Sequence, residues 1–272
     1  MAKPAAGWPE VRDTGASLGL MLSAVLLVGV ARVLVRRQVS AKPALHAFLQ
    51  ELLATFQLCL CTQELQALGE QEPLHPTWAL TLVYFFSLVH GLTLGGTSNN
   101  PCGVLLQALL GDVQPAAGLL KLAAQLAGAL GSKLCAAGLW SLGLARFHDS
   151  GRGFVCRSPV RVDAAKAFLV EGLCSFIFHS ALLHFHEVHA KLRVHLLSAL
   201  ITFLVYAGGS LTGAVFNPAL ALSLHFKCFD EAFLQFLMIY WLAPCLGVML
   251  VILTFNYLLP WLHNNRVNDK HE

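Results

Sequence analysis

Long apolar runs alternate with short polar ones along most of this chain. Six of them, at residues 44–66, 77–97, 117–143, 162–184, 194–209 and 232–262, read as helices that cross about 30 Å of hydrocarbon. A further run, Ser17 to Val35, precedes them. Two of the six end in an unusual way. The run 77–97 leads into Asn100-Pro101-Cys102, and the run 194–209 leads into Asn217-Pro218-Ala219. Each of these triplets opens another short apolar stretch, 101–111 and 218–226.

A proline at position 101 or 218 cannot continue the preceding helix, because it lacks an N–H and its ring clashes with the turn before it. Asn followed by Pro is a good helix start: Asn caps the end, and Pro occupies the first helical position. The stretch 101–111 has room for about 16 Å of helix, half a bilayer. Gly91, Gly95 and Gly96 precede the first break and Gly208, Gly209 and Gly213 the second, so extended backbone can descend to the bilayer centre. Two half-helices entering from opposite sides would meet at their N-termini, and their positive dipole ends would focus on one point. Such a point accepts a lone pair from a neutral molecule and repels cations, with the Asn100 and Asn217 amides as donors. Ordinary turns capping ordinary helices are the competing reading of each pair alone.

The second half of the chain echoes the first. Glu51-x-x-x-Thr55 returns as Glu171-x-x-x-Ser175, 120 residues on (171 − 51). Ala124-Gln125 with Gly128 returns as Ala243-Pro244 with Gly247, 119 residues on (247 − 128). The Asn-Pro pairs lie 117 apart (217 − 100). Three spans per half is an odd number, so the second half must enter the membrane inverted, as in many transporters and channels. The expected organisation is an all-α membrane protein. Its parts are an N-terminal segment 1–43 with an extra hydrophobic helix, a first repeat 44–145, a connecting loop 146–161, a second inverted repeat 162–263 and a polar tail 264–272. Glu51 and Glu171 are carboxylates inside spans, where a charge is costly. They are expected to accept N–H groups from the descending loops, which lipid cannot satisfy; a proton relay is the alternative.

Composition agrees. The 272 residues are 56% hydrophobic and 12% charged, against about 25% charged in soluble domains, which makes this an integral membrane protein. A net charge of +3 is too small to point to nucleic acid. For the run 17–35 three readings exist: a cleaved signal, an interfacial helix, or a spanning helix that leaves Arg36, Arg37 and Lys42 in the cytosol. Arg32 lies within that run. Loop 67–76, with Glu70 and Glu72, reads as non-cytosolic, and Lys191, Arg193, Arg266 and Lys270 as cytosolic. Arg146, Arg152, Arg157 and Arg161 on the other side oppose that bias. Of eight cysteines, Cys59, Cys61, Cys135, Cys174 and Cys245 read as small core hydrophobes. No cysteine–histidine spacing suits a metal, and no nucleophile–base pair or phosphate loop lies on the spans, so neither a cofactor nor an enzyme is expected. His184, His186, His189 and His195 read as solvated loop residues, with a pH gate as the alternative.

These residues resemble the aquaporin family, over roughly residues 44–262. The resemblance is carried by the two Asn-Pro boxes at 100–102 and 217–219, the Glu-x-x-x-Ser/Thr pattern, Ala124-Gln125, and Tyr240-Trp241-Leu242-Ala243-Pro244. Cys102 in the first box and Cys228, nine residues after Ala219, look like the unorthodox intracellular superaquaporin branch, in particular its member with an Asn-Pro-Cys first box. The resemblance implies six tilted spans, two half-helices, a pore in each subunit of a homotetramer embedded in lipid, and the endoplasmic reticulum membrane as location.

One departure bears on selectivity. Where orthodox members follow the second box with Arg, this chain has Leu220. Carrying the other filter positions across by register gives Leu80, Val205 and Ala214, so all four are apolar. The loss of donors and bulk implies a wider, slower, less water-selective pore, with glycerol or hydrogen peroxide beside water as permeants. The opposing expectation is a dewetted constriction, a poorly conducting scaffold needed for organelle lumen homeostasis. Cys102 is expected to be a tolerated small residue, with a redox gate as the alternative. Cys156 and Cys228 are expected on one non-cytosolic face, where an oxidising lumen allows a disulfide; otherwise Cys228 packs at a subunit contact.

Overall fold

A computed structural model describes residues 8–70, 76–149, 151 and 155–268. The expectations on Glu72, Arg152 and Lys270 lie outside the described residues, as do parts of the segments 1–43, 146–161 and 264–272. Helices joined by turns and irregular segments make up the described residues, with no strand among them. Helix α1 spans Trp8–Gln38, α2 Pro43–Gly69, α3 Pro76–Thr93, α4 Pro101–Leu109, α5 Pro115–Trp140, α6 Ala164–His184, α7 Ala190–Thr212, α8 Pro218–Leu224 and α9 Phe226–Glu231. The last crossing is continuous but not uniform. It is built from α10 (Phe233–Leu237), α11 (Ala243–Ile252) and α12 (Leu259–Asn268), joined by π-helical turns at Met238–Leu242 and Leu253–Leu258. Each π turn lies just before a proline, Pro244 and Pro260, whose missing N–H and bulky ring the wider turn accommodates.

Among the described residues six helices are long and apolar enough to cross a membrane, α1 included, and α3 contributes a shorter apolar stretch, Trp78–Thr93. The expected run 77–97 thus stops four residues early as a helix. Residues 94–99 leave the helical path instead, with Gly96 at φ +85°, a conformation open to Gly at no cost. Conversely, 194–209 is too short a reading, because α7 continues until Gly213 caps it at φ +89°.

Two matching helix crossings hold the repeats together. Gly128 of α5 packs on the backbone of α2: a Cβ there would stand 2.6 Å from the Leu52 carbonyl oxygen and 3.1 Å from the Phe56 nitrogen. Gly247 of α11 packs on α6, where a Cβ would meet the Gly172 carbonyl oxygen more closely still and stand 3.0 Å from the Phe176 nitrogen. The partners are 120 residues apart in each case (172 − 52 and 176 − 56). Small residues at these points let backbones approach, which is how helices associate where lipid removes the hydrophobic drive.

Helix α1 lies outside both repeats and packs along α2. Met21 and Ala24 join Leu60, Cys61, Phe86 and Trp140 in one buried cluster. Polar contacts fasten it along its length. Ser17 donates to Glu64 (2.6 Å), which also accepts Trp140 Nε1 (2.7 Å) and bonds His148 Nε2 (2.7 Å). Near its start, Asp13 pairs with Arg146 at 2.6 Å. Leu26 and Leu27, each 70% exposed, face outward.

Candidate functional site

The two Asn-Pro boxes open two short helices, and each Asn caps its own. Asn100 Oδ1 accepts from Cys102 N (2.9 Å), and Asn217 Oδ1 accepts from Ala219 N (3.1 Å) and Leu220 N (3.2 Å). That leaves the amide nitrogens. Asn100 Nδ2 donates to the Phe216 carbonyl at 3.2 Å, and Asn217 Nδ2 donates to the Asn99 carbonyl at 2.9 Å. Each box is therefore tied to the residue just before the other. Both of those residues have positive φ, +53° at Asn99 and +33° at Phe216, conformations that persist only where the surroundings impose them. An Asn amide has two N–H bonds, so one donor on each side chain is left for another oxygen.

Two buried carboxylates support the descending loops. Glu51 accepts from Ser98 N (2.9 Å), Asn99 N (2.7 Å) and Gln125 Nε2 (2.8 Å). Glu171 accepts from Val215 N (3.1 Å), Phe216 N (2.6 Å) and the Thr212 hydroxyl (2.6 Å). Each carboxylate thus gives two amides of its descending loop an acceptor without water, and takes a third bond from a side chain.

A cavity of about 2550 Å3 runs past this junction. Asn100 and Asn217 lie in its wall, together with Val205, Ala214 and Leu220. From α3 the wall takes Ala79 and Val83, with Leu80 outside it. Toward one mouth stand Glu70 and Arg157, ion-paired at 3.1 Å, and Arg161. Toward the other stand His186 and Arg193. Cys156 and Cys228 are joined by a disulfide, and Cys156 precedes Arg157 at the first mouth.

Cys102 points away from the cavity. It is fully buried with Val248 and Val251 of α11, and its sulfur lies 4.0 Å from that of Cys245. Ala219 of the second box packs in the same way against Ala129 of α5, and Ala129 and Val248 are themselves 119 residues apart (248 − 129).

Several residues at the site were not singled out from the sequence. His90 and His179 line the cavity, buried, each with an Nε2 that has no hydrogen-bond partner. His179 Nδ1 bonds the Ser175 carbonyl at 2.8 Å, so the δ nitrogen carries the proton and the ε nitrogen is a free acceptor. Tyr240, marked in the sequence only as part of the stretch 240–244 that carries the resemblance, donates to the Thr212 carbonyl at 2.6 Å. Spacing offers a signal for His179, one helical turn beyond Ser175, but none for His90. The four loop histidines do not form one group: His195 meets Tyr84 (2.8 Å), while the ring of His184 lies against Phe255.

Known proteins bear on this geometry. The Major intrinsic protein family profile matches residues 74–255. The chain is 66% identical to Aquaporin-11 of Equus caballus over 265 residues, and 66% identical to Aquaporin-11 of Homo sapiens over 263, in each case across 97% of both chains. Among solved structures, the aquaglyceroporin from Plasmodium falciparum superposes with a TM-score of 0.66 at 18% identity, covering 80% of this chain and 98% of that one. Inverted repeats, paired half-helices and these relatives agree: the chain belongs to the Major intrinsic protein family, the aquaporins, in its superaquaporin branch, and is a multi-pass membrane channel.

Proposed function

We propose that this protein is a passive channel for water and small neutral solutes, glycerol and hydrogen peroxide among them. The observation that carries the reading is the cavity of about 2550 Å3 in whose wall Asn100 and Asn217 meet. Each asparagine keeps one N–H free for a permeant oxygen, and the positive ends of α4 and α8 disfavour cations there. The pore boxes are Asn100, Pro101, Cys102, Asn217, Pro218 and Ala219, with Glu51 and Glu171 as their supports. The selectivity filter is formed by Val205, Ala214 and Leu220 with α3, where Ala79 and Val83 join or replace Leu80. An apolar filter offers a permeant little compensation for lost hydration, so modest rates and weak discrimination follow.

The same reading places the protein in an intracellular membrane, that of the endoplasmic reticulum. The Cys156–Cys228 disulfide supports an oxidising compartment at that mouth. A homotetramer with one pore per subunit completes the proposal, on family resemblance.

Stopped-flow measurement on proteoliposomes of the purified protein, comparing water, glycerol and hydrogen peroxide with an Asn217→Asp control, tests it. Flux above empty liposomes that the control abolishes supports the channel. Absence of flux from correctly assembled protein favours the poorly conducting scaffold, for which the apolar filter is the supporting observation.

A further inference from the structure

The two descending loops are not held alike. Their N–H groups go to Glu51 and Glu171, but their carbonyls find different partners. In the second repeat the Thr212 carbonyl, where α7 ends, accepts from Tyr240 at 2.6 Å. The counterpart of Thr212 is Thr93, 119 residues earlier (212 − 93). Its carbonyl accepts from Arg32 Nη1, and Arg32 Nη2 reaches the Gly95 carbonyl at 3.1 Å. Arg32 belongs to α1, which is part of neither repeat.

The first loop also has more backbone to satisfy. Six residues lie between Thr93 and Asn100, but four between Thr212 and Asn217. At the shorter loop the Tyr240 hydroxyl takes one carbonyl, that of Thr212, and Arg161 N takes that of Leu211; the forked guanidinium can hold two carbonyls at once. The fork is itself braced. Arg32 Nε donates to Gln50 Oε1 at 2.8 Å, and Gln50 Nε2 donates back to the Arg32 carbonyl at 2.9 Å. Gln50 is the neighbour of Glu51, so adjacent residues of α2 govern the carbonyl side and the N–H side of one loop. A guanidinium inside an apolar span is expensive unless it has a task and partners. Arg32 is 3% exposed and all three of its guanidinium nitrogens are engaged.

We propose that Arg32 is a positioning residue of the pore, through which α1 sets the height and orientation of the first Asn-Pro box against the second. The proposal rests on the channel reading above. It makes α1 a functional part of the channel, not only an anchor.

The experiment uses full-length protein in liposomes and has two readouts: solute flux per assembled protein, and amide hydrogen exchange in each loop. With Arg32→Gln, exchange at residues 95–99 should rise by about tenfold or more, exchange at 213–216 should stay as in the wild type, and flux should fall severalfold. Arg32→Lys, with a charge but no fork, should recover part of both. If Arg32→Gln does not assemble, Gln50→Met keeps the guanidinium while removing its brace, and should give the same loop-selective change. Equal acceleration in both loops, no acceleration in either, or local loosening with undiminished flux overturns the proposal. A wild type without flux sinks the channel reading instead, and exchange then decides alone whether Arg32 holds the loop.

Discussion

Asn100 and Asn217 are each hydrogen-bonded to the carbonyl that immediately precedes the other, at 3.2 Å to Phe216 and 2.9 Å to Asn99. The two half-helices are thus latched to one another through their own caps. The latch also fixes which way the spare N–H of each amide points. We predict that Asn100→Asp, which turns this donor into a buried acceptor opposite the Phe216 carbonyl, costs at least about 1–3 kcal/mol and abolishes flux. Thermal denaturation in detergent and stopped-flow on liposomes check both; full flux with an unchanged melting temperature would sink the latch.

Leu220 lies in the cavity wall directly after the second box. Leu220→Arg adds bulk, donors and a fixed charge there. Glycerol flux is expected to drop severalfold while water flux falls less, so the ratio of the two is the quantity to measure. Unchanged glycerol flux counts against the filter assignment.

Gly247 should be the least replaceable glycine of the second repeat, because a Cβ there meets the backbone of α6 and backbone cannot swing aside. Gly247→Ala is expected to destabilise by about 1–3 kcal/mol through overpacking. Gly138→Ala, with nothing within 4 Å of the new methyl, serves as the neutral control. Equal melting temperatures for the two variants would contradict the crossing.

The Cys156–Cys228 bond closes a loop between residues 72 apart. Cys228→Ser should change non-reducing mobility and lower stability by about 2–4 kcal/mol. Cys156→Ser should match it. If only the Cys228 variant suffers, that residue acts through a subunit contact instead.

Cys102→Ala removes a sulfur that faces α11, not the cavity. A stability loss of about 1 kcal/mol with flux retained is the expected result. Loss of peroxide sensitivity on this substitution would revive the redox gate.

Much of this protein could be read along the chain because the features are local. Apolar length marks the spans, and Asn followed by Pro marks a helix start whatever lies around it. The Glu, Gly and Ala landmarks repeat at near-constant offsets because each half folds by the same contacts. The place where α3 stops was less legible: residues 94–97 are apolar enough to continue the span, and the turn depends on Glu51 and Arg32 drawing the backbone away. The α3 side of the filter was not legible from register alone, since one residue turns a helix by about 100° and so decides between Leu80 and its neighbours in the wall.

What tertiary structure decided are the contacts that join distant residues. Asn100 with Phe216, Asn217 with Asn99, Arg32 with Thr93 and Cys156 with Cys228 are each at least 61 residues apart. No periodicity encodes such pairs; they exist because packed helices bring loop backbone, which lipid cannot satisfy, within reach of the few polar groups buried beside it. The sequence therefore specified a membrane protein with two inverted halves and two broken segments. Only the packing of those halves, with α1 against them, showed how the breaks are held together.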